Sequence, residues 1–413
     1  LSSGSTFDRR IGYFSDLYYD ARRNEWWGLS DRGPGGGTLP YETRVQRFTL
    51  DVGANGAISN FRVLQTVKFS SGGVALNGLA PSPSGTLGNS FDPEGFVVNP
   101  TNGHLLVSDE YGPSLYEFDR NGKLVGQYKT PDNLVPRVGG TVDYNAAPPT
   151  LTSGREPNRG FEGLAISPDG KYAYAVLQNG TVQDGWTSSN RGQYTRIVKY
   201  DTATMKAVGQ YAYKLESSSQ GRGISSLVAL GNDKFLILER NNRGIGVGAT
   251  LSTADKNVFQ IDLAGATDVS GLALPASGSL PAGVVAVTKG AKVIDLDADT
   301  LAALGNKSPE KWEGLTVGPK LANGKYLVLA GTDNDYSVTQ NASGTQFDVY
   351  FRMSDSDPYA SSVQCPVGTV LGCFYTANGT AAALTADYAL LPGVLHAYTA
   401  DITGYITPVP EPG

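Results

Sequence analysis

The sequence has very few histidines and cysteines. Its 413 residues include only His104 and His396, together with Cys365 and Cys373. This scarcity argues against a histidine-rich metal centre or a catalytic histidine relay. No second cysteine or histidine pair accompanies the two cysteines, so their spacing does not indicate zinc. They are either two reduced thiols or a disulfide across a short loop that contains glycine and proline.

Long apolar runs and blocks of one charge are also missing. No apolar run approaches the ~20 residues that span a bilayer. The 33 basic and 39 acidic residues are dispersed, with a net charge of −6 and no basic stripe of the kind that binds nucleic acid. Neither a sustained helical period nor a Gly-x-Ser-x-Gly motif occurs. We therefore expect a soluble, monomeric protein with no nucleic-acid partner, which is neither helical nor a serine α/β-hydrolase.

A Glu-Gly pattern occurs three times, at residues 93–96 (PEGF), 161–164 (FEGL) and 312–315 (WEGL). Each copy begins a short strand that leads through an Asn-Gly or Asp-Gly turn into a second strand with a polar end. Two degenerate copies fit the same frame, at residues 15–17 and 225–227. Five copies of one strand pair are therefore predicted.

A third strand is predicted after each pair, and most of these strands end on an aspartate. Their residues are 44–51, 114–119, 196–201, 257–262 and 346–352. Units of four antiparallel strands repeated along a chain are typical of β-propeller blades. We predict an all-β fold in which residues 1–406 form one β-propeller. Six blades are favoured, with five to seven possible and the two termini sharing a blade so that no edge is open.

The repeated glutamates predict a metal site. A residue repeated at the same end of each innermost strand forms a ring around the propeller axis, so Glu94, Glu162 and Glu313 should converge. Like charges at short range cannot all remain ionised unless a cation lies between them. Ca²⁺, which prefers oxygen ligands, meets that need. Alternatively, each glutamate accepts backbone N–H bonds and joins neighbouring blades.

The polar ends of the second strands should share one face with the glutamates, because each turn reverses the chain. They complete the predicted ligand set: Glu94, Glu162, Glu313, Asp109, Asn179 and Asp333. Basic residues cluster within a few positions of these acids, and guanidinium groups bind carboxylate or phosphate oxygens bidentately. The predicted substrate-binding residues are Arg10, Arg222, Arg240 and Lys311. The alternative is that these bases form salt bridges between blades.

Four segments, in order, resemble the phytase-like family, also described as esterase-like activity of phytase. They are residues 91–125, 155–180, 223–244 and 311–335, and the resemblance extends over roughly residues 10–355. Members are acidic propellers to which esterase or phosphoesterase activity is assigned. The resemblance therefore implies a propeller fold and, for the reaction, hydrolysis of small-molecule esters or phosphoesters.

These observations lead to one hypothesis with two alternatives. The hypothesis is a Ca²⁺-dependent hydrolase of phosphate or related esters, in which the cation and Arg32 or Arg159 stabilise developing negative charge. Asp31 or Glu239 would act as the base toward water. The first alternative is a calcium-dependent lactonase or carboxylesterase that does not need the arginines. The second is a non-catalytic propeller whose long loops bind a ligand or an extracellular matrix.

The Pro-rich end of the chain, residues 407–413, resembles the start of a PEP-CTERM sorting signal of Gram-negative bacteria. The membrane helix and basic cluster of such signals do not follow here. The sequence also begins at Leu1 without a methionine, which fits either a removed export signal or a start inside the gene. We expect export to the periplasm, the cell surface or the medium of a Gram-negative bacterium, with membrane attachment only through the missing anchor.

Overall fold

The computed structural model describes residues 10–186, 191–248, 253–300, 303 and 307–408. Of the predicted Pro-rich tail, residues 407–413, positions 409–413 lie outside them. Regular structure in the described residues is almost entirely β, in antiparallel sheets. None of the helices in these residues has the length and apolar character needed to cross a membrane.

Four of the sheets contain four strands each, paired in chain order. Sheet 1 consists of β1 (Asp16–Asp20), β2 (Glu25–Leu29), β3 (Arg44–Val52) and β4 (Ile58–Lys68), and a small ribbon of β5 (Ser70–Ser71) and β6 (Val74–Ala75) follows. Sheet 2 consists of β7 (Pro93–Val98), β8 (Leu105–Asp109), β9 (Ser114–Phe118) and β10 (Leu124–Gln127), followed by a ribbon of β11 (Arg137–Val138) and β12 (Thr141–Val142). Sheet 3 consists of β13 (Phe161–Ile166), β14 (Tyr172–Leu177), β15 (Tyr194–Asp201) and β16 (Lys206–Lys214). Sheet 4 consists of β17 (Gly223–Gly231), β18 (Lys234–Arg240), β19 (Lys256–Asp262) and β20 (Thr288–Asp295).

Sheet 5 is interrupted by a separate sheet. It begins with β21 (Trp312–Lys320) and β22 (Tyr326–Thr332), and its third strand, β28 (Leu395–Ala400), returns from much later in the chain. Between them lies the side sheet, formed by β23 (Val338–Gln340), β24 (Gln346–Phe351), β25 (Val363–Pro366), β26 (Phe374–Tyr375) and β27 (Ala389–Leu390). The prediction that residues 346–352 form the third strand of the fifth unit is wrong, because β24 pairs with β23, β25 and β27 instead.

Short helical segments occur between strands. They are α1 (Leu296–Thr300) and 3-10 turns at Asp132–Leu134, Val182–Asp184 and Asp335–Ser337. The two cysteines are joined: Cys365 on β25 forms a disulfide with Cys373 and closes a short loop of the side sheet. Of the two states that the sequence left open, the structure therefore has the bonded one.

The first strands of the five sheets contact one another in cyclic order. β1 contacts β7, β7 contacts β13, β13 contacts β17, β17 contacts β21, and β21 contacts β1. Five buried apolar clusters lie between successive sheets, including one between sheet 5 and sheet 1 that contains Phe14, Trp26 and Leu327. Successive residues of a strand point to opposite faces. Phe96 on β7 thus packs toward sheet 1, whereas its neighbour Val97 packs toward sheet 3.

The glycine of each Glu-Gly pair allows neighbouring first strands to approach closely. A Cβ on Gly163 would lie 2.7 Å from the Leu227 backbone nitrogen, and one on Gly95 would lie 2.6 Å from the Glu162 carbonyl oxygen. A Cβ on Gly314 would lie 2.9 Å from the Leu17 side chain. Backbone atoms cannot move aside as a flexible side chain can. The glycines are therefore explained by packing between sheets.

Gly163→Ala is expected to destabilise the protein by about 1–3 kcal/mol, the usual range for overpacking a core position. Chemical denaturation monitored by tryptophan fluorescence would measure the change in the free energy of unfolding. Gly271→Ala is the matched control, because a Cβ at Gly271 meets no atom within 4 Å. Equal stability of the two variants would contradict the close approach of β13 and β17.

Candidate active site

The three repeated glutamates lie at β-bulges. In sheet 2, Pro93 pairs with Asp109 and Gly95 pairs with Ser108, so Glu94 is the extra residue with no partner on β8. The same shift leaves Glu162 unpaired on β13 and Glu313 unpaired on β21. A bulge re-aims the side chain of the inserted residue. The repeat therefore positions a glutamate at the same place in three first strands.

All three glutamates line one cavity of about 500 Å³. Residues just after the second strands line the cavity too, because the end of each second strand pairs with the start of its first strand. Glu110 follows β8, Gln178 follows β14, and Asp31 follows β2 by two residues. The cavity lining contains seven carboxylates, which are Asp31, Glu94, Glu110, Glu162, Glu310, Glu313 and Asp335. It contains four bases, which are Arg32, Arg159, Arg240 and Lys311.

Three of these carboxylates are buried without a partner. Glu94, Glu110 and Glu162 are 7%, 2% and 4% exposed. Oε1 of Glu110 and Oε2 of Glu162 are buried and receive no hydrogen bond, and none of the three side chains forms an ion pair or hydrogen bond with a described residue. Unpaired buried carboxylates are costly unless they are protonated or bind a cation.

Burial and mutual repulsion raise the pKa values of these three carboxylates. Burial raises the pKa of Glu94 well above its usual value, and Glu162, Asp92 and Glu110 raise it further. Burial, followed by Glu110 and Glu313, raises the pKa of Glu162, which Arg240 and Lys311 only partly oppose. Burial and then Asp92 raise the pKa of Glu110 to about 7 against the opposing effect of nearby arginines. The group behaves as one set of interacting carboxylates.

Asp31 and Asp92 extend this set. One carboxylate oxygen from each of Asp31, Asp92 and Glu94 lies within 4.8 Å of the others. Asp92 is already engaged by Arg32, which donates from its backbone nitrogen (3.1 Å) and from a guanidinium nitrogen (3.0 Å). Asp31 accepts a hydrogen bond from the Gly33 N–H (2.8 Å), and burial raises its pKa well above the usual value.

Three of the four bases in the lining are paired with carboxylates. Arg32 pairs with Asp92, Arg240 with Glu313 (2.6 Å), and Lys311 with Asp333 (2.8 Å) and with Asp335 (2.7 Å). Arg159 differs from these three. Its guanidinium donates to the Gln178 side chain and to the Asn158 carbonyl, its Nε is buried without an acceptor, and it forms no ion pair with a described residue.

Eight of the residues predicted from the sequence line the cavity: Asp31, Arg32, Glu94, Arg159, Glu162, Arg240, Lys311 and Glu313. Six do not: Arg10, Asp109, Asn179, Arg222, Glu239 and Asp333. Neighbouring groups engage the side chain of each of these six residues.

Glu239 and Arg222 belong to a separate buried network of sheet 4. Glu239 accepts hydrogen bonds from the Tyr213 hydroxyl (2.8 Å), the Glu216 N–H (2.7 Å) and Lys289 (3.1 Å), and it also pairs with Arg222. A carboxylate with this many donors is poorly placed to act as a base in the cavity.

The other four predicted residues hold loops and strands in place. Arg10 pairs with Asp348 of the side sheet (2.5 Å), and Asp333 pairs with Lys311. Asp109 accepts from the backbone N–H groups of Asp92 (3.0 Å) and Tyr111 (3.1 Å). Asn179 donates to the Arg222 carbonyl (2.8 Å).

Sequence reasoning did not assign roles to Glu110, Asp92 or Glu310. Glu110 is adjacent to the predicted Asp109 in the polar end of β8, so a shift of one residue along the same motif would have found it. Asp92 lies two residues before Glu94 and shares its neighbourhood. Glu310 has no comparable signal, because its place beside Arg240 (3.8 Å) depends on the folded loop before β21.

The described chain is thus an all-β protein of the propeller type with an acidic cavity where its first strands begin. A family model described as "Phytase-like: Esterase-like activity of phytase" matches residues 9–336. The chain belongs to this family, which confirms the resemblance seen in the sequence. The side sheet and β28 lie beyond the matched residues.

A relative and two solved structures resemble the chain. An "Uncharacterized secreted protein" of Arthroderma benhamiae is 27% identical, over 79% of this chain and 80% of that protein. An α-L-arabinofuranosidase from Clostridium thermocellum has a TM-score of 0.37 and 12% identity, over 82% of this chain and 94% of that one. A putative 6-phosphogluconolactonase from Bacteroides uniformis has a TM-score of 0.35 and 12% identity, over 81% and 80%. At these TM-scores the likeness does not extend to function.

Proposed function

We propose that the protein is an exported, Ca²⁺-dependent hydrolase that cleaves phosphate esters or related esters in this cavity. The observation that carries the proposal is the group of three buried, unpartnered carboxylates, Glu94, Glu110 and Glu162. Membership of a family described by esterase-like activity supports the reaction class.

The residues present suit a calcium ion. Ca²⁺ binds six to eight oxygens at about 2.3–2.6 Å. Carboxylate oxygens within 4.8 Å of one another, as in Asp31, Asp92 and Glu94, can reach a common ion of that size. We propose Glu94, Glu162 and Glu313 as ligands, as the sequence predicted, and add Glu110, because these four glutamates line one cavity and their charges act on one another. Of the four, Glu94 belongs to the described group whose oxygens lie within 4.8 Å of one another. Asp109, Asn179 and Asp333 are left out of this set, because they do not line the cavity.

When bound, the cation would neutralise the carboxylates and polarise the ester as a Lewis acid. Arg159 would hold the ester oxygen that gains negative charge, since its guanidinium has no carboxylate partner to satisfy it. Arg32 is committed to Asp92 and therefore orients that carboxylate.

Asp31 is the proposed base. It lines the cavity beside Glu94, and burial raises the pKa of its carboxylate well above the usual value, which makes it a stronger acceptor for a proton from water. Water forms a bond to the ester carbon or phosphorus and gives one proton to Asp31. The bond from that centre to the alcohol oxygen then breaks, and Asp31 returns its proton to that oxygen, so that the alcohol leaves neutral.

The architecture behind this site is proposed to be a closed propeller of five blades rather than six. The cyclic contacts of β1, β7, β13, β17 and β21 support this count. The side sheet is then an insertion in the fifth blade, which β28 completes as its third strand. No blade shared between the two termini is needed in this arrangement.

Export is supported by two observations. The Arthroderma benhamiae relative is described as a secreted protein. The Cys365–Cys373 disulfide is a type of bond that persists in oxidising compartments. A Gram-negative periplasm, cell surface or medium stays a proposal that depends on the Pro-rich tail.

Purified protein is expected to hydrolyse phosphate esters or related esters only while Ca²⁺ is present. Rates on phosphate monoesters, phosphate diesters and aryl esters should be measured with Ca²⁺, with chelator, and after Ca²⁺ is restored. Chelator should abolish turnover and restored Ca²⁺ should recover it. Absence of chelator-sensitive turnover on every substrate would overturn the proposal and leave the binding-protein alternative.

Arg159→Gln is expected to lower kcat/KM by about 10²–10³-fold, the usual effect of removing one donor to a developing oxyanion. Arg191→Gln is the control, because Arg191 pairs with Glu156 (3.3 Å) and does not line the cavity. Unchanged activity of Arg159→Gln would contradict the assigned role and favour the lactonase alternative, which does not need the arginines.

A further inference from the structure

The balance of charge in the cavity limits the charge of its ligand. The lining has seven carboxylates and four bases. Among the described lining bases, Arg159 alone has no carboxylate partner, while the other three are held within 3.0 Å of one. A paired guanidinium or ammonium has little attraction left for a ligand anion. The site therefore offers one free positive group to a substrate.

The rest of the lining is neutral. Its polar side chains belong to Asn158, Gln178, Asn242, Thr339, Gln340 and Gln346. Apolar side chains that could hold an acyl chain or an aromatic ring are few, and only Val247, Val338 and Pro34 line the cavity. Amide and hydroxyl groups match the hydroxyls of a polyol or sugar, because both partners donate and accept hydrogen bonds.

Part of this neutral lining comes from the side sheet, which lies beyond the residues that match the family model. Gln340 on β23 accepts a hydrogen bond from Thr38 (3.0 Å) and another from Gln346 on β24. Thr38 follows the glycine-rich segment 33–37, most of which lines the cavity. The side sheet and this segment are thus joined beside the site, and both contribute uncharged surface.

We infer that the natural substrate is an ester with at most one negative charge, joined to a neutral, hydroxyl-rich group. This inference rests on the proposed function and narrows its substrate class. Phosphate diesters and carboxylic esters of polyols meet the condition. Phosphate monoesters do not, since they carry nearly two charges above about pH 6, and polyphosphorylated polyols fit worst.

The physical reason is the position of the second charge. Arg159 and a bound cation can balance one anionic oxygen, but a further anionic oxygen would lie among carboxylates that already repel one another. Like charges placed together in a partly buried site cost enough to change affinity by tenfold or more. The cavity should therefore bind monoanionic ligands more tightly than dianionic ones.

Two measurements at pH 8 with Ca²⁺-loaded protein test the inference. The first is release of glycerol from bis(glycero)phosphate, glycerol monoacetate and glycerol 1-phosphate, together with release of phosphate from phytate. We expect kcat/KM for one of the first two to exceed that for glycerol 1-phosphate by at least about tenfold, with phytate slowest as judged by phosphate release. Faster turnover of glycerol 1-phosphate or phytate would overturn the inference.

The second measurement is calorimetric binding of dimethyl phosphate and methyl phosphate, which does not depend on turnover. Dimethyl phosphate is expected to bind at least about tenfold more tightly. Tighter binding of methyl phosphate, or binding of neither, would overturn the inference. Tighter binding of dimethyl phosphate without turnover of any ester would overturn the proposed function and leave only the limit of one negative charge on the bound ligand.

A variant with an added charge provides a gain-of-function test. Thr339→Lys would place a second free base in the lining, and it should narrow the preference for the diester over the monoester by about tenfold. Thr345→Lys is the control, because Thr345 is exposed and does not line the cavity. An unchanged preference in a folded Thr339→Lys protein would contradict the charge-balance argument.

Discussion

Replacing Glu162 by glutamine is expected to raise the melting temperature of the metal-free protein at pH 8 and to abolish the further rise that Ca²⁺ causes in the unchanged protein. Glu162 is buried, lacks any hydrogen-bond partner at Oε2, and lies among other carboxylates. Glutamine keeps its shape and removes its charge. We expect a gain of about 1–2 kcal/mol in metal-free stability, which lies within the range of single stabilising substitutions.

The pH dependence follows from the direction of the pKa shift. The pKa of Glu162 in the folded protein lies above its usual value of 4.5, so protonation stabilises the fold. This contribution is fully present below pH 4.5 and is lost as the pH rises through the raised pKa. The metal-free protein should therefore melt at a lower temperature at pH 8 than at pH 5. Ca²⁺ should raise the melting temperature more at pH 8, because it must displace protons at the lower pH.

Glu216→Gln is the matched control for this experiment. Glu216 is a half-exposed carboxylate that pairs with Lys289 and does not line the cavity, so its replacement should leave the Ca²⁺ effect unchanged. Thermal scans with and without Ca²⁺, at both pH values, would measure these shifts. A melting temperature of metal-free Glu162→Gln below that of the unchanged protein would contradict this prediction. It would favour the alternative from the sequence, in which the glutamate joins neighbouring sheets.

The repeat allowed much of the fold to be predicted, because its signals are local. Alternating apolar residues and Asn-Gly or Asp-Gly turns define strand pairs over about 20 residues, and all five predicted pairs are present. The prediction of the third strand of the fifth unit was wrong, because β24 has the same alternating pattern as the third strands of the other units. Only the pairing of β22 with β28, across the whole side sheet, distinguishes the two.

The site was predictable to the extent that it follows from the repeat. Glu94, Glu162 and Glu313 occupy equivalent positions in equivalent strands, so their convergence could be expected before the structure. The partners of Arg10, Arg222 and Glu239 could not be predicted from the sequence, because they come from distant segments such as β24 and β20. A local pattern shows which residues are charged, but the folded chain determines which charges cancel.

Asp16→Ala is expected to destabilise the protein by about 3–5 kcal/mol, because the Asp16 side chain links the first strands of three sheets. Its side chain accepts hydrogen bonds from the Leu17 N–H (2.9 Å), from the Phe96 N–H on β7 (2.9 Å) and from the Ser226 hydroxyl on β17 (3.0 Å). Removing a buried acceptor leaves each donor unsatisfied, at about 1–3 kcal/mol per group.

Asp16 also explains why the degenerate first copy of the repeat carries an aspartate before its leucine. Its carboxylate is 2% exposed, and burial raises its pKa while the bonds from Phe96, Leu17 and Ser226 oppose the rise. The shorter side chain thus satisfies backbone and hydroxyl donors of the neighbouring strands, whereas Glu94 and Glu162 are left unsatisfied beside the cavity. Asp16→Asn keeps one acceptor oxygen and should lose less stability than Asp16→Ala in chemical denaturation. Equal losses would mean that packing, rather than these hydrogen bonds, holds the first strands together.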